Sequence, residues 1–370
     1  MNILVSAAAL RASGARTIYR QFIEHLRSRV DGNRYYVMVD KCMEMPEIDG
    51  VSYWIVDVSS KWKRIWFELF GFKQLVEQKD VKFDVAISLQ NLGIRQLRNL
   101  PQVVYYHQSL PFFDYKWNIC SKRELMMWSY KHLYPIIVKL TIAKSTDMIA
   151  QLPSIKDCIV CKYGLASYRV HVLFPDLEKI NIGKIGRYPF DERHVHFLFP
   201  ATSAPYKGHR FLVDVMSLIK KQDPNTAGRV KIHFTLDKGQ EHVLVNEMVK
   251  LGVEHNFEFH GVVPHDVLLS MYKSSSCLLF PSVVETLGLP LIESACFGIG
   301  IIACDLKYAR EVLAGYEWVT YLESRTVKQW ADAIIKVSKE PETYRPLKQE
   351  ERSSWEDFFD IVDNTSNNRK

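Results

Sequence analysis

No apolar run in this 370-residue chain approaches the roughly 20 residues a helix needs to cross a bilayer. A soluble or peripheral protein is therefore expected. Cysteine is sparse and scattered, at Cys42, Cys120, Cys158, Cys161, Cys277, Cys296 and Cys304. An odd number without a spacing framework excludes a disulfide-stapled scaffold and favours a reducing compartment. The one C-x-x-C, Cys158 to Cys161, has no second pair to complete a zinc site and reads as helix-face cysteines. No G-x-G-x-x-G occurs, which removes the dinucleotide fingerprint. Charge is close to balanced, 48 Lys and Arg against 42 Asp and Glu, and a net +6 is too mild to imply a nucleic-acid partner. The opening "MNILVSAAAL" has no Lys or Arg ahead of its apolar residues, so a first core strand is expected rather than a secretory signal.

What is present is ample core. The chain is 47% hydrophobic, enough for two domains of ordinary size. "NILVS", "YYVMV", "FDVAISL", "QVVYYH" and "DMIAQ" are apolar runs of strand length. Between the first two, Ile18, Phe22, Ile23 and Leu26 share one helical face. The rhythm returns in "VHFLFP", "VKIHFTL", "FEFHG", "CLLFPS" and "GIIAC", with helices from about Gly208, Glu241 and Gly288. Apolar strands separated by helices predict parallel sheets covered on both faces. The fold class expected is α/β, as two doubly wound Rossmann-like domains. The division expected is 1–180, 181–345 and a C-terminal segment 346–370. Its boundary falls in the Gly-, Pro- and charge-rich "FPDLEKINIGKIGRYPFDERH". Ser354 is expected to cap a last helix bearing Trp355, Phe358 and Phe359, and residues 364–370 to form a disordered tail.

Open parallel sheets bind ligands beyond the carboxyl ends of their strands. Four such loops stand out. "ASGAR" places Gly14 in the loop between the first strand and the first helix, where backbone can approach an anion at the helix N-terminus. "YYHQSLPFF" puts His107 directly after a buried strand, able to hydrogen-bond a hydroxyl or carry a proton. "FPATSAPYKGHRF" sets Lys207 and Gly208 ahead of a helix, suited to a phosphate. "FPSVVETLGLPLIES" holds Glu285 in a loop and Glu293 on the helix behind Pro290, with the N–H groups of Leu287 and Gly288 at the helix start. Carboxylates beside an anion-binding helix start suit sugar hydroxyls. Taken singly, each feature also fits a plain role: a turn, a structural histidine, a surface lysine, a capped core helix.

Together these residues resemble the retaining, group 1 glycosyltransferases of family 4, which have the GT-B fold. "PSVVETLGLPLIE" matches the family's pattern of two glutamates separated by seven residues, and "SACFGIGIIACDLKYAREV" and "FEFHGVVPHDVLLSMYKSSSCLLFPS" match its flanks. The resemblance is strong over the second domain and loose over the first. It implies that the two domains face a cleft and that the last helix crosses back to the first domain. It implies Glu293 on the donor's ribose, Glu285 facing the donor sugar, and Thr286, Leu287 and Gly288 offering backbone. It implies Lys207 compensating the diphosphate, Gly14 admitting diphosphate and acceptor, and His107 on a sugar hydroxyl. The usual family arginine five residues before the lysine is Thr202 here, and Arg210 and Arg16 are the candidate substitutes. "PATSAPYKGH" resembles a branch from bacterial surface-polysaccharide clusters.

The activity this implies is transfer of a hexose-type sugar from a nucleoside-diphosphate sugar to a glycan or polyprenyl-linked glycan. No cofactor and no metal are expected, in keeping with the lack of a D-x-D in a suitable loop. A nucleotide-sugar epimerase and a catalytically silent binding protein of the same fold are the alternatives. Residues 61–75 and 115–140 mix basic residues with large aromatics, as interfacial helices do. They mark a candidate membrane surface, with the protein expected in the cytoplasm or on the inner face of the cytoplasmic membrane.

Overall fold

The computed structural model describes residues 1–10, 13–60, 63, 66–117, 120–176, 180–340, 344–348 and 353–367. The chain forms two compact units, Met1–Phe112 with Trp117–Asp176 and Glu351–Lys370, and Phe113–Lys116 with Leu177–Glu350. Each is built on one all-parallel sheet.

The first unit contains β1 (Asn2–Ser6), β2 (Arg34–Asp40), β3 (Val51–Val56), β4 (Val85–Ser88), β5 (Gln102–Tyr106), β6 (Asp147–Ala150) and β7 (Val170–Val172). Its helices are α1 (Ser13–Ser28), α2 (Phe72–Lys79), α3 (Lys122–His132), α4 (Tyr134–Thr141) and α5 (Pro153–Tyr163). Strand order is β3-β2-β1-β4-β5-β6-β7, so chain direction reverses across the sheet between β1 and β4. β1, β4 and β5 are buried almost throughout, which is why they read as unbroken apolar runs. β3 and β7 are the sheet's two edges and partly exposed, and their mixed or very short sequences did not suggest strands.

The second unit contains β8 (Val195–Phe199), β9 (Val230–Phe234), β10 (Phe257–Phe259), β11 (Cys277–Phe280), β12 (Gly300–Cys304) and β13 (Val319–Leu322). Its helices are α6 (His209–Gln222), α7 (Pro224–Ala227), α8 (His242–Leu251), α9 (His265–Ser274), α10 (Leu289–Phe297), α11 (Lys307–Val312) and α12 (Val327–Lys339). Strand order is β10-β9-β8-β11-β12-β13, with the reversal between β8 and β11. These are the two doubly wound Rossmann-like sheets anticipated from the apolar rhythm.

The last helix, α13 (Ser354–Asn367), belongs to the first unit. Trp355, Phe358, Phe359 and Val362 join a core containing Phe22, Tyr35 and Tyr105. The Tyr105 and Trp355 rings stack at 5.7 Å. Two expectations are corrected here. The cap is Ser353, whose Oγ accepts from the Trp355 N–H at 3.2 Å. Ser354 is the first helical residue, and its N–H and hydroxyl both donate to Asp176 Oδ1, at 2.7 and 2.9 Å. Residues 364–367 are helical, not a disordered tail, because Thr365 is buried and donates to Asp147 Oδ2 at 2.9 Å. Residues 368–370 lie outside the described residues.

A chain of imidazoles crosses one face of the second sheet. His196 Nε2 lies 2.7 Å from the Asp191 carbonyl, and His196 Nδ1 lies 2.8 Å from His233 Nε2. His233 Nδ1 lies 2.8 Å from His260 Nε2, and His260 Nδ1 lies 3.4 Å from the Tyr188 hydroxyl. Phe190 stacks on both His196 and His233, with ring centroids at 4.5 and 4.2 Å. The segment that precedes β8 is thereby tied down at Tyr188, Phe190 and Asp191. Among the described residues no helix is long and apolar enough to cross a membrane.

Candidate functional site

Because β8 and β11 are neighbours at the point of reversal, their carboxyl-end loops lie side by side. That is the place where doubly wound sheets bind ligands. The loop after β8 ends in a short 3-10 turn, Pro205–Lys207, followed by Gly208 at φ +95°. A Cβ at Gly208 would come within 3.1 Å of the Pro281 ring, so glycine is what lets the loops touch. They are joined by the Val283 N–H, which donates to the Tyr206 carbonyl at 3.1 Å. Behind them the Tyr308 hydroxyl donates to the carbonyl of fully buried Ser282 at 2.7 Å.

This backbone frame brings Lys207 and Glu285 together. The ammonium donates to Glu285 Oε1, with the two side chains 15% and 12% exposed. A charge pair this enclosed must satisfy itself, and the remaining exposure is what a ligand could reach. Gly288, at φ +72°, starts α10, with Leu287 buried before it and Pro290 in its first turn. Any larger residue at 288 would press on Leu291 at 3.2 Å and hold a strained φ. Thr286, Leu287 and Gly288 thus lead into the helix start, where unpaired N–H groups attract anions.

Glu293 sits in the second turn of α10. The Tyr272 hydroxyl donates to its Oε2 at 2.8 Å, and His265 Nε2 lies 3.3 Å from its Oε1. Neither Tyr272 nor His265 stood out in the sequence. Tyr272 lay hidden in an ordinary apolar helix pattern, and a lone histidine after a proline carries no motif.

In the first unit the reversal lies between β1 and β4. Gly14, expected in the loop ahead of the first helix, is instead in the first turn of α1, which already begins at Ser13, and its surroundings lie outside the described residues. Gln90 stitches the two loops: its Oε1 accepts from the Ala9 N–H at 3.0 Å, and its Nε2 donates to Ser6 Oγ. His107 follows β5 as expected. Asn91, at φ +67°, accepts from the His107 N–H at 2.5 Å and brings its Nδ2 to 3.2 Å from His107 Nε2. The Leu89 carbonyl lies 3.2 Å from the same nitrogen. Burial lowers the His107 pKa below the usual histidine value, so the ring is neutral near neutral pH. Gln90 and Asn91 were missed, although the polar "QN" directly after the apolar "VAISL" was the available signal.

The structure therefore joins Lys207 to Glu285 and leads Thr286, Leu287 and Gly288 into the same helix that bears Glu293. His107 and Gly14 belong to the other unit. The candidate replacements for the family arginine are engaged elsewhere: Arg210 with Glu247 at 2.8 Å and Arg16 with Glu44 at 3.0 Å. Among the described residues no group of three or more His, Cys, Asp or Glu is arranged to hold a metal ion.

Residues 184–354 match the family model described as "Glycosyl transferases group 1". The chain is 24% identical over 236 residues to a D-inositol 3-phosphate glycosyltransferase of Rhodococcus jostii, covering 59% of this chain and 52% of that protein. It is 22% identical over 213 residues to the O-antigen chain mannosyltransferase RfbU of Salmonella typhimurium, covering 57% and 56%. The chain thus spans about half the length of the curated relatives it matches. In fold it is similar to Anabaena Alr3699/HepE, solved in complex with UDP and glucose, with a TM-score of 0.59, 15% identity and coverage of 92% and 90%.

Proposed function

We propose that the protein, whose residues 184–354 match the model of the glycosyl transferases group 1, transfers a hexose-type sugar from a nucleoside-diphosphate sugar, with retention, to a glycan or polyprenyl-linked glycan in bacterial surface-polysaccharide assembly. The observation that carries this reading is the enclosed Lys207–Glu285 pair at the switch point, beside a glycine-started helix. The name of the Salmonella relative supports the polysaccharide setting, and the UDP- and glucose-bound neighbour supports the donor class.

In the proposed reaction the bond from the anomeric carbon to the diphosphate breaks, and a bond to the acceptor oxygen forms on the same face. The acceptor's proton passes to the departing phosphate oxygen. Negative charge grows on the diphosphate, and the Lys207 ammonium with the α10 N-terminus stabilises it without a metal. Glu285 is assigned to the donor sugar and Glu293 to the ribose. His107, neutral at its place after β5, is assigned a hydrogen bond to a sugar hydroxyl, and Gly14 leaves room for backbone approach.

A thermal-shift screen against UDP-, GDP- and TDP-sugars tests the donor reading. One nucleotide class should stabilise the protein by roughly 2.7 kcal/mol at a hundredfold excess over its Kd. No shift with any of them counts against the proposal. Epimerised donor without acceptor would favour the epimerase, binding without turnover the silent protein. An inverted anomer in the product's proton NMR spectrum would overturn retention.

The same reading includes an anionic membrane surface on the cytoplasmic side. Leu133, Ile136, Ile137 and Leu140 lie at i, i+3, i+4 and i+7 along α4 and its approach, each 46–55% exposed. Residues 122–144 add five Lys or Arg against one Glu. In the 61–75 segment Trp66 and Phe70 are exposed while Phe67 and Phe72 turn inward, and Trp62 lies outside the described residues. Co-sedimentation with phosphatidylglycerol vesicles should fall at least fivefold in Ile136→Glu with Leu140→Glu, and should weaken with salt. Equal recovery of variant and parent with vesicles removes this part of the proposal.

A further inference from the structure

Both oxygens of Glu293 are engaged inside the second unit, by groups from one helix. Tyr272, fully buried on α9, stacks on Phe297 of α10 with centroids at 5.9 Å and an interplanar angle of 22°. With its ring held in that way, its hydroxyl reaches Glu293 Oε2 at 2.8 Å. His265, at the first position of the same helix and about half exposed, approaches Oε1 at 3.3 Å. Burial and the neighbouring carboxylate raise the Tyr272 pKa well above the usual phenol value, so it remains a donor throughout the physiological range.

A buried tyrosine needs only one acceptor, and an ordinary helix–helix tie would supply it. Here the acceptor is a charged side chain that stays 17% exposed, and its two oxygens are gripped separately. Each carboxylate oxygen accepts two hydrogen bonds, so one position on each remains after Tyr272 and His265 are served. Two acceptors held in one fixed plane match the two hydroxyls of a vicinal diol.

We propose that Tyr272 is a positioning residue that fixes the plane of Glu293 for a two-point hold on a ribose diol, and so makes the site select ribonucleotides over deoxyribonucleotides. His265 assists from the exposed side. The inference rests on the reading of Glu293 as the ribose-binding carboxylate.

The test is calorimetric titration of UDP and GDP, each beside its 2′-deoxy counterpart, into the full chain and its Tyr272→Phe variant. The parent should favour the better ribonucleotide over its deoxy form by about tenfold, as one charge-assisted hydrogen bond allows. Tyr272→Phe should lose most of that preference, weakening the ribonucleotide while the deoxy form binds as before. In turnover the loss should fall mainly on the donor KM rather than on kcat. Should Tyr272→Phe fail to fold, His265→Gln, at the exposed end, should show a smaller loss of the same kind.

Equal weakening of ribo and deoxy forms would make the bond a packing tie and overturn the inference. So would a variant that discriminates as the parent does, and in that case the donor reading stands. A parent that binds nucleotides but does not discriminate refutes the ribose role of Glu293 and this inference with it. A parent that binds neither UDP nor GDP refutes the donor reading for those nucleotides, a failure visible before any variant is made.

Discussion

Lys207→Met is expected to lower kcat/KM for sugar transfer by about 10²- to 10³-fold, the range seen when one preorganised donor to a developing anion is removed. The geometry distinguishes this loss from simple destabilisation. The ammonium is mostly buried against Glu285, so removing it leaves a partly enclosed carboxylate without its partner. Breaking a fully buried pair costs about 3–5 kcal/mol, and the residual exposure of these two side chains places the cost below that. Melting temperature should therefore fall, but the variant should remain folded at 25 °C. Glu285→Gln is the informative companion. It keeps the shape of the side chain and releases the ammonium from its internal anion. Nucleoside-diphosphate affinity should hold or improve, while turnover should fall because the group assigned to the donor sugar has lost its charge. Lys207→Met should weaken nucleotide binding as well as turnover. If both variants weaken the nucleotide equally, the pair acts as a structural tie and the division of roles proposed for it is wrong.

How legible this site was depended on what each residue does to the local pattern. Glu285 and Glu293 interrupt a dense apolar stretch, and Lys207 stands between a strand and a helix beside a glycine. Such exceptions are visible in one dimension. Their supporting residues were not. Tyr272 contributes an apolar ring to a helix, Tyr308 does the same in α11, and only the fold reveals that their hydroxyls reach Glu293 and the Ser282 carbonyl. The central strands were legible because burial on both faces demands continuous apolar residues. The edge strands β3, β7 and β13 are partly exposed, and that demand is relaxed. The starts read near Gly208, Glu241 and Gly288 are the residues just ahead of α6, α8 and α10, whereas the last helix was misread, at its cap and at its end. Ser353 and Ser354 are equivalent as cap candidates in sequence, and only Asp176, far away in the chain, decides between them.

The second large effect is expected in acid. The direction of the imidazole chain follows from its end: a carbonyl accepts only, so His196 Nε2–H donates to Asp191. His196 Nδ1 must then accept from His233 Nε2–H, and His233 Nδ1 from His260 Nε2–H. The Tyr188 hydroxyl completes the series by donating to His260 Nδ1. Every ring is neutral in this arrangement, and a further proton on His233 would set two N–H groups against each other. Burial, then His260, His196 and nearby Lys231, lower the His233 pKa to about 2. His196 is lowered by burial and His260 likewise, with Asp191 and Glu258 the opposing charges beside them and His194 and Lys231 adding to the depression at His196. A depressed histidine favours the folded state fully above its unfolded pKa near 6.5. Below that value the unfolded chain takes up a proton that the native ring refuses, so stability falls with pH. His233 alone should remove about 2 kcal/mol between pH 7.5 and 5.0. That window lies above the usual carboxylate range, which keeps Asp and Glu largely out of the comparison. Urea unfolding at the two pH values should show the His233→Gln variant losing less stability on acidification than its parent, by about that amount. The variant should also start lower at pH 7.5, since the ring that Phe190 stacks on is gone. Equal losses in parent and variant would mean that the chain accepts a proton without opening, and the single-direction arrangement would have to be abandoned.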